Sequence, residues 1–156
     1  MEKIGYKIKL LYNKFRSEIE RNEIFQKSAL TRTEFMVLKY VLCNKELKCM
    51  RDIQEEFNIN RSSSSELLSS LEEKGFVEKI INENDSRIKY IKVTESGLKE
   101  FKTIVKQFNK LDIELVSSLT DEEVTVLSSL LNKIIDSEYF RKGEVNEKVY
   151  CCKKKS

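Results

Sequence analysis

The sequence predicts a mainly α fold with a small β component, of the α+β class. Three observations lead there. The 156 residues contain no proline and only four glycines, at positions 5, 75, 97 and 143, so little interrupts a helix. Apolar residues recur at helical spacing along most of the chain. Only between Phe76 and Val93 does the period change to two, the signature of strands. At this length a single domain with one modest core is expected.

The elements follow in order. Ile4, Ile8, Leu11, Phe15 and Ile19 form an apolar stripe on an otherwise charged segment, predicting an amphipathic first helix over residues 3–25. Thr31, Arg32, Thr33 and Glu34 make a capping box, in which the threonine oxygen accepts from the Glu34 amide and the glutamate reaches back to the cap. The second helix starts there, with Phe35, Leu38, Val41 and Leu42 as its core face, and ends near Asn44, a residue that tolerates the left-handed conformation of a helix stop. Met50, Ile53 and Phe57 predict a short third helix ending at Asn58.

Only Asn58 and Ile59 precede Asn60, an N-cap for a fourth helix that runs through Leu67, Leu68 and Leu71 to Lys74 and Gly75. Short helix, tight turn and second helix make a helix-turn-helix. Residues 76–81 and 87–93 then alternate as two strands joined by the turn-rich residues 82–86, a two-stranded β-hairpin wing. Thr94 caps a fifth helix carrying Leu98, Phe101, Val105, Phe108 and Leu115. Thr120 to Glu123 is a second capping box, opening a last helix with Val124, Leu127, Leu131, Ile134 and Ile135 on one face. The chain is therefore expected to be a winged helix-turn-helix domain flanked by long N- and C-terminal helices. Those helices carry more apolar surface than one small winged domain covers, which calls for a partner, and the competing reading is that they pack as intramolecular core.

Composition narrows the function. No histidine is present, which removes the commonest general base and the usual partner of a serine or cysteine nucleophile, so a non-enzyme without a cofactor is expected. Cys43, Cys49, Cys151 and Cys152 show no CxxC spacing, and two adjacent thiols in a lysine-rich tail are a weak metal signal, so reduced thiols and no metal are expected. No stretch reaches the roughly 18 to 20 apolar residues of a membrane span, and the first residues lack the apolar run of a signal peptide. A cytoplasmic protein without membrane contact is expected. The net charge of +3 does not by itself point to nucleic acid, because residues 48–92 carry eight basic side chains against nine acidic ones. The excess lies in the first helix and in residues 141–156, read as a basic, flexible tail.

The order of elements and several local strings resemble the MarR family of bacterial regulators over roughly residues 30–140. The strings are Leu30-Thr31 with Glu34-Phe35 and Leu38, Asn60-Arg61-Ser62-Ser63, Leu71 to Val77, Asp85-Ser86-Arg87, and Val93 to Gly97. The resemblance implies a homodimer in which residues 1–29 and 95–140 form a helical dimerisation region. Residues 30–94 would then be the winged helix-turn-helix module that addresses double-stranded DNA at a palindromic operator, as a repressor released by a small-molecule effector.

On the fourth helix Ser62, Ser65 and Ser69 share an outward face, where short hydroxyls let the backbone sit close in a groove, while Ser62 and Ser63 equally suit a cap. Arg51 and Arg61 are the strong local cations, and ordinary surface arginines look the same. In the family pattern the arginine of the Asp-x-Arg string, here Arg87, enters the minor groove, and Asp85 holds the hairpin by an ion pair or turn hydrogen bond. Lys89 and Lys92 become phosphate contacts or solvated strand residues. Two departures stand out: Ser64 replaces a more usual larger or apolar residue facing the third helix, and Glu66 replaces a more usual basic one.

Two other functions compete. A thiol-based redox sensor would use Cys43 and Cys49, which flank the start of the helix-turn-helix, with Cys43 read as core and Cys49 as the better candidate. A winged-helix adaptor that contacts only protein would suit the acidic balance of residues 48–92. For the effector reading, the resemblance implies a cleft lined by Tyr12, Phe15 and Phe35, although aromatic residues at such spacing are more often core.

Overall fold

The computed structural model describes residues 3–83 and 85–137. The basic tail with Cys151 and Cys152 lies outside the described residues. The chain runs α1 (Ile4–Arg21), α2 (Arg32–Cys43), β1 (Lys48–Cys49), α3 (Met50–Phe57), α4 (Arg61–Glu73), β2 (Val77–Ile81), β3 (Lys89–Val93), α5 (Glu95–Leu115) and α6 (Asp121–Ile135). Two compact units emerge. One holds the described residues through Ile24 and from Val105 onward, and the other runs from Phe25 to Ile104.

The winged unit is built as its local signals require. Thr31 accepts from the Glu34 amide at 3.2 Å and its own amide donates to Glu34 at 2.7 Å, closing the capping box that starts α2. Residue Asn58 adopts the left-handed conformation (φ 48°, ψ 46°) that turns the chain out of α3. Two residues later the Asn60 side chain accepts from the Ser63 amide at 2.8 Å and opens α4. At the far end Gly75 has φ 70°, the Phe76 amide donates to Leu71 and the Gly75 amide to Glu72. This is a Schellman stop, which glycine adopts without a Cβ penalty.

The sheet has three antiparallel strands in the order β1-β3-β2, one more than the two-stranded wing expected. Lys48 lies opposite Ile91 and Cys49 opposite Tyr90, while Val77 pairs with Val93 and Ile81 with Lys89. Alternation places Val77 and Ile91 in the core and turns Glu78 and Lys92 to the opposite, exposed face, while Lys89 at the strand end shares the face of Ile91 but is exposed. The core of this unit joins Leu30, Val37 and Leu38 to Ile53, Leu68, Leu71 and Ile104, all almost fully buried. Phe35 stacks on Phe101 at 4.9 Å between centroids and meets Phe25 edge-on at 5.8 Å.

Two details of α2 differ from expectation. Its buried face is Glu34, Phe35, Val37, Leu38 and Tyr40, leaving Leu42 exposed, because at the end of the helix the packing falls on the side of Tyr40, whose ring meets Phe57 edge-on at 5.8 Å. Asn44 is extended (φ −92°, ψ 138°) rather than left-handed; its side-chain amide donates to the Tyr40 carbonyl at 2.6 Å, which satisfies the helix end without a reversed turn.

Within the helical unit, neither α1 nor α6 contains a buried residue. The Thr120–Glu123 capping box starts α6 as the sequence predicts, with the Thr120 oxygen accepting from the Glu123 amide at 3.3 Å. Ile4, Ile8 and Leu11 of α1 and Leu127, Leu131, Ile134 and Ile135 of α6 are all exposed. No described helix is long and apolar enough to cross a membrane.

Candidate nucleic-acid interface

The first two turns of α4 present a surface of small hydroxyls. Arg61, Ser62, Ser63, Ser65 and Glu66 are exposed, Ser69 is half-buried, and Ser64 is fully buried. Asn60 is the cap, so Ser62 and Ser63 keep their hydroxyls out of that role. Because Asn60 takes the Ser63 amide and its carbonyl takes the Ser64 amide, the amides of Arg61 and Ser62 are the ones that the N-terminus of α4 still offers to an anion.

Ser64 resolves one departure from the family pattern. Its hydroxyl accepts from the Gln54 side-chain amide at 2.9 Å and donates to the Arg61 carbonyl at 3.0 Å, so the hydroxyl ties α3 to α4. Glu34 ties α4 to α2 from the other end. Its carboxylate is buried, lies 2.8 Å from the Lys74 ammonium through both oxygens, and accepts from the Ser70 hydroxyl at 2.8 Å. Burial pushes this carboxyl up, but Lys74, the Thr31 amide and the Ser70 hydroxyl outweigh it and hold Glu34 below its ordinary value. Sequence reasoning read Glu34 only as half of a capping box and missed Ser70 and Lys74; nothing local in the sequence pairs residues that far apart.

The wing turn is held as the Asp-x-Arg string implied. Asp85 accepts the Arg87 amide at 3.0 Å through its side chain and the Ile88 amide at 3.0 Å through its carbonyl. The turn hydrogen bond is the form the link takes, and the Arg87 guanidinium stays exposed.

Ion pairing sorts the cations of residues 48–92. Lys48 pairs with Glu46, Arg51 with Glu55 at 2.9 Å, Lys74 with Glu34, Lys79 with Glu72, and Lys92 with Glu78 at 2.9 Å. Among the described residues Arg61, Arg87 and Lys89 take no ion pair, and all three are exposed. The near-zero count of this segment does not show which charges are paired: these three cations, at the start of α4 and on the wing, have no carboxylate partner among the described residues, and neither does the Glu66 carboxylate on α4 have a cation. Lys92, open in the sequence between a phosphate contact and a solvated strand residue, is exposed and a cross-strand partner of Glu78, whose hydrogen bond raises the lysine above its ordinary value.

The remaining candidates separate. Tyr12 is exposed and Phe15 half-buried on α1, whereas Phe35 belongs to the aromatic stack of the winged unit and is buried. Cys43 is exposed at the end of α2, not core, because the buried face of that helix ends at Tyr40. Cys49 is half-buried at the start of α3, where its amide donates to Asp52 at 2.6 Å.

Comparison with known proteins agrees with this architecture. The family model described as MarR family matches residues 30–89. The chain is 31% identical to the uncharacterized helix-turn-helix-type transcriptional regulator YwaE of Bacillus subtilis over 87 residues, which is 56% of this chain and spans about half, 51%, of that relative. It is 32% identical to the helix-turn-helix-type transcriptional regulator BilQ of Clostridioides difficile over 108 residues, covering 69% of this chain and 72% of BilQ. Among solved structures, a cysteine-to-serine mutant of MarR from Escherichia coli superposes with a TM-score of 0.70 at 25% identity, over 86% of this chain and 98% of that one. With a helix-turn-helix, a wing and these relatives in agreement, the chain belongs to the MarR family of transcriptional regulators.

Proposed function

We propose that the protein is a homodimeric regulator that binds double-stranded DNA at a palindromic operator, as a repressor released by a small-molecule effector. The observation that carries the DNA reading is the sorting of charge: among the described residues Arg61, Arg87 and Lys89 take no ion pair at the start of α4 and on the wing, while the other cations of residues 48–92 each have a carboxylate partner. In this reading α4 enters the major groove by its serine face, with Ser62, Ser63, Ser65 and Ser69 close to base edges and phosphates. Arg87 enters the minor groove, where a narrow groove concentrates negative potential, and Lys89 meets a phosphate. Asp85 acts through the turn that presents Arg87.

Dimerisation through residues 1–29 and 95–140 is supported by the exposed apolar positions of α1 and α6, which water would cover in a lone chain and a partner would bury. Effector release rests on family membership, with Tyr12 and Phe15 as the candidates left after Phe35 is assigned to the core. Fluorescence anisotropy on duplexes from the chain's own promoter tests the proposal. Affinity should fall linearly on a log–log salt plot, by a slope of about 0.9 for each phosphate neutralised. No binding in dilute buffer would reject it.

A further inference from the structure

We infer that Glu66 is a specificity-determining residue that reads a cytosine in each half-site of the operator. The inference rests on the DNA reading above and concerns which base that same helix selects.

Glu66 lies on the exposed face of α4, one turn beyond Ser62, whose hydroxyl reaches it at 3.5 Å. No cation pairs with this carboxylate among the described residues, although Glu55, Glu72 and Glu78 in the same unit each have one. Its neighbours on the face are Ser62, Ser65 and Ser69, too short to shield it. A helix bearing these residues in the major groove brings an unneutralised carboxylate, its longest reaching side chain there besides Arg61, to the base edges.

Chemistry then selects the base. A carboxylate only accepts hydrogen bonds. Guanine offers two acceptors in the major groove and thymine an acceptor and a methyl group, so both repel or exclude it. Adenine sets an acceptor beside its amino donor, a pattern suited to an amide. Cytosine presents its amino group without an adjacent acceptor of its own, and so meets a carboxylate best. The carboxylate is then a device of selection: it repels phosphates on every duplex and is compensated only on the right one.

The test uses the full-length chain and the duplex it recovers from a random pool. Glu66→Gln and Glu66→Ala alter an exposed position and leave the fold intact, which circular dichroism verifies. Against the recovered duplex, Glu66→Ala should weaken binding about tenfold, while binding to a scrambled duplex tightens because a repulsive charge is gone. Replacing the read C·G pair by T·A should cost the wild type about tenfold and Glu66→Ala nothing. Glu66→Gln should shift the preference at that pair toward A·T, where an amide fits both edge groups. If Glu66→Ala tightens binding to both duplexes alike, or the recovered half-site has no cytosine whose replacement depends on Glu66, the inference is overturned while DNA binding stands. If the wild type recovers no duplex, the DNA reading fails and this inference with it.

Discussion

Glu34 and Lys74 meet with the ammonium nitrogen 2.8 Å from each carboxylate oxygen, across a sequence separation of forty residues. The pair fastens the start of α2 to the residue that ends α4, so the helix read here as the DNA-reading element is fixed at both ends. Gln54 and Ser64 hold its first turns against α3, and Glu34, Lys74 and Ser70 hold its last.

Replacing Glu34 by glutamine leaves the Lys74 ammonium, about one-third exposed, without its counter-charge. A fully buried pair broken this way costs about 3–5 kcal/mol. Partial solvation of Lys74 reduces the expected loss to about 1–3 kcal/mol. Urea denaturation should show a lower midpoint at unchanged slope. Because the folded carboxyl lies below its ordinary value, its contribution is complete above the unfolded-chain value and is lost as the pH falls through the folded one. Acid destabilisation in that window should therefore be shallower in Glu34→Gln than in the wild type.

Asn58 sits at φ 48° in the turn of the helix-turn-helix, where a side chain is strained and glycine is not. Asn58→Ala should cost about 1 kcal/mol, since asparagine tolerates this region and alanine does not. Asn58→Gly should be near neutral. Thermal melts of the two variants side by side check the difference.

Gly97 tests the junction between the wing and α5. A methyl group there would lie 2.2 Å from the Phe76 carbonyl oxygen, a backbone atom that also accepts the Thr94 amide. Gly97→Ala should destabilise by about 1–3 kcal/mol or more, as overpacking does. At Gly5 an added methyl meets nothing within 4 Å, so Gly5→Ala in the same assay should lose no stability.

Arg87 and Arg51 should behave differently. Arg87→Ala should weaken operator binding by about 1–3 kcal/mol and lower the salt slope by about one. Arg51, already paired with Glu55, should lose much less when changed to alanine. Equal effects in salt-titrated anisotropy would count against the charge sorting.

How much of this was legible in the sequence depends on range. The capping boxes at Thr31 and Thr120, the Gly75 stop and the Asp85 turn are encoded within a few residues, and each forms where its local pattern requires. β1 was not legible, because two residues carry no period and Lys48 and Cys49 become a strand only through their register with Ile91 and Tyr90. The same limit hid the second role of Glu34, whose partners lie in another helix. Counting charges gave no hint of an interface, since the count does not show that Glu78 occupies Lys92 while Arg87 is left unpaired. Periodicity misplaced Leu42 for a related reason: it identifies a helical stripe but not which neighbours cover it.

The central claim is that a two-fold pair of these chains reads one duplex. Selection of bound fragments from a random pool, with the mass of the complex measured on the recovered duplex, tests it most directly. Two chains on a palindrome, with half-sites centred about 10 base pairs or one helical turn apart, are the expected result. A chain that stays single in solution and enriches no motif from the pool would contradict it.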